Sequence, residues 1–121
     1  MTLDLEIKNR GRYLHARIEG VQCLRNFKEV WDRIGRECHK QGSRRVLCEG
    51  CLEGAGLTLD LGEYHRRIAE TEIPAGTRIA IICSPEDYDQ FGFEARPITT
   101  GMPVFPRVFR SVDEGARWLT K

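Results

Sequence analysis

The stretch RIAIIC, residues 78–83, is apolar at every position after Arg78. A strand with one face in water alternates apolar and polar residues, whereas a strand buried on both faces is apolar throughout. The stretch therefore predicts a central strand of a parallel sheet that helices cover on both sides. Ser84 and Pro85 follow it as a helix start, because a capping side chain and a proline at the first helical position favour a helix there.

Two alternating stretches stand at the beginning of the chain. Residues 3–8 and 14–18 place an apolar side chain at every second position, and Asn9-Arg10-Gly11 supplies turn residues between them. This pattern predicts a β-hairpin with one buried face. A first helix is predicted to follow, with an N-cap at Asn26 and a stop at Gly42.

Strands and helices then alternate. Residues 44–48 (RRVLC) predict a short strand, residues 49–56 a glycine-rich loop, and residues 57–68 a second helix. A break over residues 73–76 precedes the central strand.

The last part of the chain continues the alternation. A helix over residues 88–98 is predicted to end or kink at Pro97, and residues 104–109 contain a last strand. Ser111 and Glu114 form a capping box that opens a short final helix. The order β-β-α-β-α-β-α-β-α predicts an α/β fold with a mostly parallel central sheet and flanking helices. No linker or repeat divides the chain, so residues 1–121 are expected to form a single domain.

Composition narrows the class of protein. The chain has 121 residues, of which 40% are hydrophobic and 31% charged, and 19 basic side chains stand against 18 acidic ones. A net charge of +1 disfavours a dedicated nucleic-acid binder, since such proteins usually carry a larger basic excess. No apolar run approaches the roughly 20 residues that span a bilayer. The first residues lack signal-peptide character, and five irregularly spaced cysteines suit a reducing compartment, so we expect a cytoplasmic protein.

Four stretches carry a resemblance to a known family. They are the hairpin with its following helix, RRVLCEG at 44–50, TLDLGEYHRRIAE at 58–70 and RVFRSVDEGARWL at 107–119. In these the chain resembles the SpoIIAA-like proteins, relatives of the STAS domain of anti-sigma-factor antagonists and sulfate transporters. The resemblance implies a small regulatory or ligand-binding module that is commonly dimeric.

The resemblance also points to particular residues. STAS antagonists carry a phosphorylatable Ser or Thr, usually after an Asp, at the start of the helix that follows the third strand. Thr58 is the only hydroxyl in the matching region, and the Asp-Ser pair is absent. SpoIIAA-like proteins further resemble lipid-binding CRAL-TRIO domains, which implies an apolar cavity under a lid. The lid would be the 88–98 helix, with Tyr88, Phe91 and Phe93.

Topology suggests where a ligand or partner would bind. Open α/β sheets bind ligands outside the carboxyl ends of their strands. The glycine-rich loop with Glu49, Gly54 and Gly56, the adjacent Thr58, and Ser84 after the neighbouring strand are expected at that edge. The loop lacks the Lys-Ser/Thr of a Walker motif and the pattern GxGxxG.

Cys48 and Cys51 form a CxxC motif, which raises a thiol redox function as an alternative. Redox thiols of this kind sit at a helix N-terminus, whereas this pair ends a strand and enters a loop, so a core thiol and a loop thiol are favoured. No zinc-finger spacing is present, and His15, His39 and His65 are expected to be surface or strand residues. The cations between Arg33 and Arg45 predict at most a modest, solvated basic patch.

No catalytic constellation can be argued from spacing. We therefore expect a non-enzymatic module with no cofactor and no metal, whose partner is a protein or an apolar small molecule. A membrane-surface lipid-binding module, with at most peripheral membrane contact, is a further alternative.

Overall fold

A computed structural model describes residues 4–19, 24–50, 66–82 and 104–121. The strands in these ranges are β1 (Asp4–Asn9), β2 (Leu14–Glu19), β3 (Arg45–Glu49), β4 (Arg78–Ile82) and β5 (Phe105–Phe109). The helical segments are α1 (Leu24–Gln41), the helical residues 66–69, which we call α2, and α3 (Val112–Leu119). None of the helices in these ranges is long and apolar enough to cross a membrane.

The five strands form one sheet whose spatial order is the order of the chain, β1-β2-β3-β4-β5. β1 and β2 are antiparallel, and β2–β3, β3–β4 and β4–β5 are parallel pairs. Parallel neighbours require a crossover connection. α1 lies in the crossover from β2 to β3, and α2 lies in the crossover from β3 to β4. The predicted α/β fold with a mostly parallel sheet and flanking helices is confirmed.

The predicted hairpin is also confirmed. The Asn9 side-chain oxygen accepts a 2.7 Å hydrogen bond from the Gly11 amide, and Arg10 N–H donates to the Tyr13 carbonyl at 2.9 Å. Gly11 has a φ of +93°, a conformation that side chains with a Cβ rarely adopt. These local bonds set the turn and therefore the register of β1 against β2.

The first face of the sheet packs against α1, α2 and the segment that follows α2. Strand side chains of this face and apolar side chains of the two helices form one buried cluster, which includes Trp31, Ile34, Ile68, Ile79 and Ile81. Ala80, between the two isoleucines, is buried in a second cluster on the opposite face. β4 is therefore buried on both sides, as its uninterrupted apolar sequence predicts.

The second face is covered by α3 over β3, β4 and β5. Leu47, Ala80, Phe109 and Leu119 are the buried residues of this cluster. The Ser111 side chain caps α3 by accepting a 3.2 Å hydrogen bond from Glu114 N–H, which confirms Ser111 as the N-cap of the predicted capping box. The Glu114 carboxylate accepts a 3.4 Å hydrogen bond from the Ser111 hydroxyl. On the same face β1 and β2 carry charged side chains, of which Glu6, Lys8 and Arg17 are exposed.

Pro106 lies in β5, the strand at one end of the sheet order. Phe105 N–H donates to the Thr77 carbonyl, on the β4 side, at 2.9 Å. Because successive backbone N–H groups of a strand point to opposite sides, the nitrogen of Pro106 faces the outer edge. The ring nitrogen carries no hydrogen, so β5 has no donor at that point of its outer edge.

Some predicted boundaries differ from the structure. α1 begins at Leu24, so Asn26 lies within its first turn and is not the N-cap. β3 runs from Arg45 to Glu49 because Glu49 is paired with Arg17 of β2, which keeps it extended. α2 matches the end of the predicted second helix. The start of that helix and the predicted 88–98 helix lie outside the described residues.

Candidate functional site

Glu49 is the last residue of β3, at the carboxyl edge where the sequence predicts binding. Its carboxylate lies within hydrogen-bonding distance of His15 Nε2 of β2. The strand register explains this contact, because Leu47 is the partner of His15 and Glu49 the partner of Arg17. Residues at alternate positions share a face, so the His15, Arg17 and Glu49 side chains lie together.

Six charged or titratable residues on this face line a cavity of about 230 Å³. We call them the polar face; they are Glu6, Lys8, Arg10, His15, Arg17 and Glu49. The His15 side chain is only 13% exposed and that of Glu49 33%, whereas Lys8 and Glu6 are well exposed at its rim. The polar face therefore has a part-buried centre and a solvated border.

The border charges interact with one another. Lys8 Nζ lies 2.9 Å from Glu6 Oε1. The hydrogen bond from Lys8, together with its charge, holds the pKa of Glu6 below its usual value. Glu6 is thus ionised at neutral pH, and the polar face presents both signs of charge.

The chemistry available at the polar face is charged hydrogen bonding. Glu49 orients the His15 imidazole, as a carboxylate does in many acid–base sites. None of the described residues that line the cavity has the hydroxyl or thiol that such an imidazole would activate. Nor do the described parts of the chain contain a group of three or more His, Cys, Asp or Glu side chains placed to hold a metal ion.

The other predicted site residues fall outside the ranges that the structure describes. They are Gly54, Gly56, Thr58, Ser84, Tyr88, Phe91 and Phe93. Phosphorylation of Thr58 and the lid over an apolar cavity therefore stay predictions. Glu49 alone of the predicted binding residues can be placed.

Cys48 is fully buried, at 0% exposure, on the face of β3 that packs against α1. This position confirms that it is a core thiol of the strand. A redox thiol must be reached by its substrate and must ionise, and burial among apolar side chains opposes both. Cys51 lies outside the described residues, so the pairing of the two thiols stays untested.

His15 lies at the centre of the polar face, although the sequence predicts only a surface or strand residue there. The available signal was its position: it alternates with Leu14 and Ala16, whose side chains face the core. That alternation places His15 on the polar side of β2. Its pairing with Glu49, 34 residues away, also needs the strand order and register.

A scan against protein-family models found no match to this chain, and a search of curated proteins found none either. The resemblance to SpoIIAA-like proteins therefore stays a prediction that rests on the sequence motifs.

Proposed function

We propose that this protein is a non-catalytic interaction module, of the regulatory kind that the SpoIIAA-like resemblance implies, which binds a protein partner through the polar face. One observation carries the proposal. α3 covers the second face of the sheet over β3 to β5, while the same face of β1 and β2 carries exposed charges around the part-buried His15–Glu49 pair.

The charge pattern favours a protein partner. Glu6 and Glu49 stand among Lys8, Arg10 and Arg17, so the polar face is mixed in sign and carries a small positive excess. Complementary charges on a partner fix the register of an interface and speed association more than they raise affinity. A site for an apolar molecule would instead be lined mainly by apolar side chains.

Two further features of the proposal rest on the cysteines and on the resemblance. We place the module in the cytoplasm because it has five cysteines and because the described thiols of Cys38 and Cys48 are buried, as suits a reducing compartment. The partner protein is either a different chain or a second copy of this one, since the resemblance implies a dimer.

Site-specific photo-crosslinking in the native host tests the proposal. A photoreactive amino acid at Lys8, on the polar face, is expected to give a discrete crosslinked species, whereas the same amino acid at Lys40, exposed on α1, is not. The mass of the species identifies a second copy or a different protein.

Charge reversal supplies the matched control. Glu49→Lys is expected to abolish the Lys8 crosslink, and Glu37→Lys on α1 to leave it intact, with thermal melting used to confirm that both variants fold. If the Lys8 crosslink persists in Glu49→Lys, or if only Lys40 crosslinks, the polar face is not the interface.

A further inference from the structure

A second and larger cavity, of about 700 Å³, opens at the other end of the sheet, where β3 and β4 begin. Four arginines line it, Arg12, Arg44, Arg45 and Arg78, and we call it the arginine cleft. The described residues around it include no Asp or Glu. Four positive charges therefore face one cavity without a carboxylate in its lining.

The strand register brings two of these charges side by side. Arg45 of β3 and Arg78 of β4 are partners in the parallel pair, so their side chains leave the same face of the sheet. Like charges directly across neighbouring strands repel each other. An anion between them would relieve that repulsion.

Two of the arginines are held in place by the protein. Arg78 donates to the Trp118 carbonyl at 2.7 Å, and its guanidinium carbon lies 4.3 Å from the centre of the Trp118 ring. Arg44 donates through Nη1 to the Ala75 carbonyl. A guanidinium has five N–H donors, so each of these groups keeps donors for a ligand after making its own bond.

The other two arginines are the ones that a ligand would order. Within the described part of the chain, no hydrogen bond or ion pair holds the guanidinium of Arg12 or that of Arg45. Both line the cleft. The cleft thus combines two guanidinium groups that the protein already holds with two that a bound anion could order.

We propose that the arginine cleft binds a small anion that carries two or more phosphate groups. Guanidinium groups bind phosphate oxygens bidentately, and four of them match the charge of a linked pair or trio of phosphates. The volume of the cleft is that of a small-molecule site. The same chemistry occurs in a free polyphosphate compound and in the headgroup of a polyphosphorylated lipid.

A nucleic-acid strand fits these observations less well. Strand-binding grooves combine an extended basic track with a row of aromatic side chains for base stacking. The described lining of the cleft contains one aromatic residue, Tyr13, and the whole chain has a net charge of only +1.

Calorimetric titration of the full chain with inorganic tripolyphosphate tests the proposal. Saturable binding with one site per chain is expected, weakening as salt is raised because the attraction is electrostatic. Arg12→Gln and Arg45→Gln are each expected to weaken binding about tenfold or more, because each variant loses a charge-assisted hydrogen bond to the anion. Arg33→Gln, on the exposed side of α1, removes one positive charge away from the cleft and is the matched control, which should bind as the wild type does.

Two further measurements separate the sources of the phosphate. If the protein co-sediments with phosphatidylcholine vesicles that contain a bisphosphorylated phosphoinositide, and tripolyphosphate competes, the ligand of the cleft is a lipid headgroup. If the protein binds tripolyphosphate but does not co-sediment, the ligand is a free compound. The proposal is overturned if no saturable binding is seen, if the arginine variants bind like the wild type although they melt normally, or if a single-stranded oligonucleotide binds more tightly the longer it is.

Discussion

The carboxylate of Asp32, on α1, accepts a 2.9 Å hydrogen bond from the backbone amide of Glu72, 40 residues further along the chain. Its second oxygen accepts one from Lys28 Nζ at 2.6 Å. Burial favours the neutral acid, but the hydrogen bonds from Lys28 and Glu72 outweigh burial and hold the pKa of Asp32 below its usual value. Asp32 thereby ties α1 to the turn that precedes β4.

Asp32→Ala is expected to lower the free energy of unfolding by about 1–2 kcal/mol at pH 7, as the loss of hydrogen bonds to a charged group does. Because the folded-state pKa is depressed, this stabilisation is present above the unfolded value of about 4 and is lost as the pH falls through the folded value. Urea unfolding of the wild type and the variant between pH 7 and pH 2 measures it. Glu29→Ala, an exposed neighbour on α1, is the control, and an undiminished difference between wild type and Asp32→Ala at pH 2 would contradict the prediction.

Gly35 lies where α1 meets the same turn. A Cβ at this position would overlap the Glu72 carbonyl group and lie 2.6 Å from Ile73 N, and backbone atoms cannot move aside cheaply. Gly35→Ala is therefore expected to destabilise the fold by roughly 2 kcal/mol, although alanine is the better helix former. Gly115→Ala in α3 is the comparison, since its nearest obstacle is the flexible end of Ile82, at 2.8 Å. Denaturant unfolding should give a larger loss of unfolding free energy for Gly35→Ala than for Gly115→Ala. The reverse order would show that the backbone at Glu72 and Ile73 moves to accommodate the added methyl group.

Arg78 joins β4 to α3 through the ring and carbonyl of Trp118. Arg78→Lys keeps the charge but loses the planar group that stacks on the indole, and we expect it to cost about 1 kcal/mol of stability. Arg107→Lys is the matched control, because Arg107 is exposed and its guanidinium carbon lies 5.5 Å from the centre of the Phe109 ring. If the two variants lose equal stability in thermal melts, the contact of Arg78 with Trp118 adds no stability beyond that of an exposed arginine.

Burial raises the pKa of the Cys38 thiol from 9.0 to about 11. Because the thiol ionises more easily in the unfolded chain, the stability that the neutral Cys38 side chain contributes is complete below the unfolded pKa of 9.0. It is lost as the pH rises toward and through the folded pKa of about 11. The stability of the wild type relative to Cys38→Ala is therefore expected to shrink between pH 9 and pH 11. Chemical unfolding across that range measures the difference. A difference that stays constant would mean that Cys38 ionises as it does in the unfolded chain.

Local signals in the sequence were enough to predict the elements. Uninterrupted apolar residues within 78–83 predict a strand buried on both faces, and alternation over residues 14–18 predicts one with a single buried face. The Ser111–Glu114 capping box and the Asn9–Gly11 turn depend only on residues within three positions of each other. The start of α1, at Leu24, lies two residues before the predicted N-cap at Asn26, because helix ends are the least sharply determined part of a helix.

The sites depended on information that local patterns do not contain. Glu49 could be placed at the carboxyl edge from topology alone, but His15 reaches it only because β2 pairs with β3 in one particular register. The arginine cleft shows the same limit. The sequence places Arg44 and Arg45 near the cations of α1, whereas the structure places them beside Arg12 and Arg78 from other strands and turns.

Pro106 gives the sheet two unequal borders. An incoming strand from another molecule would find a missing donor on the outer side of β5, whereas β1 has no proline and can offer its full row of backbone groups. Any growth of the sheet from one molecule to the next, whether in ordered assembly or in aggregation during refolding, would therefore start at β1.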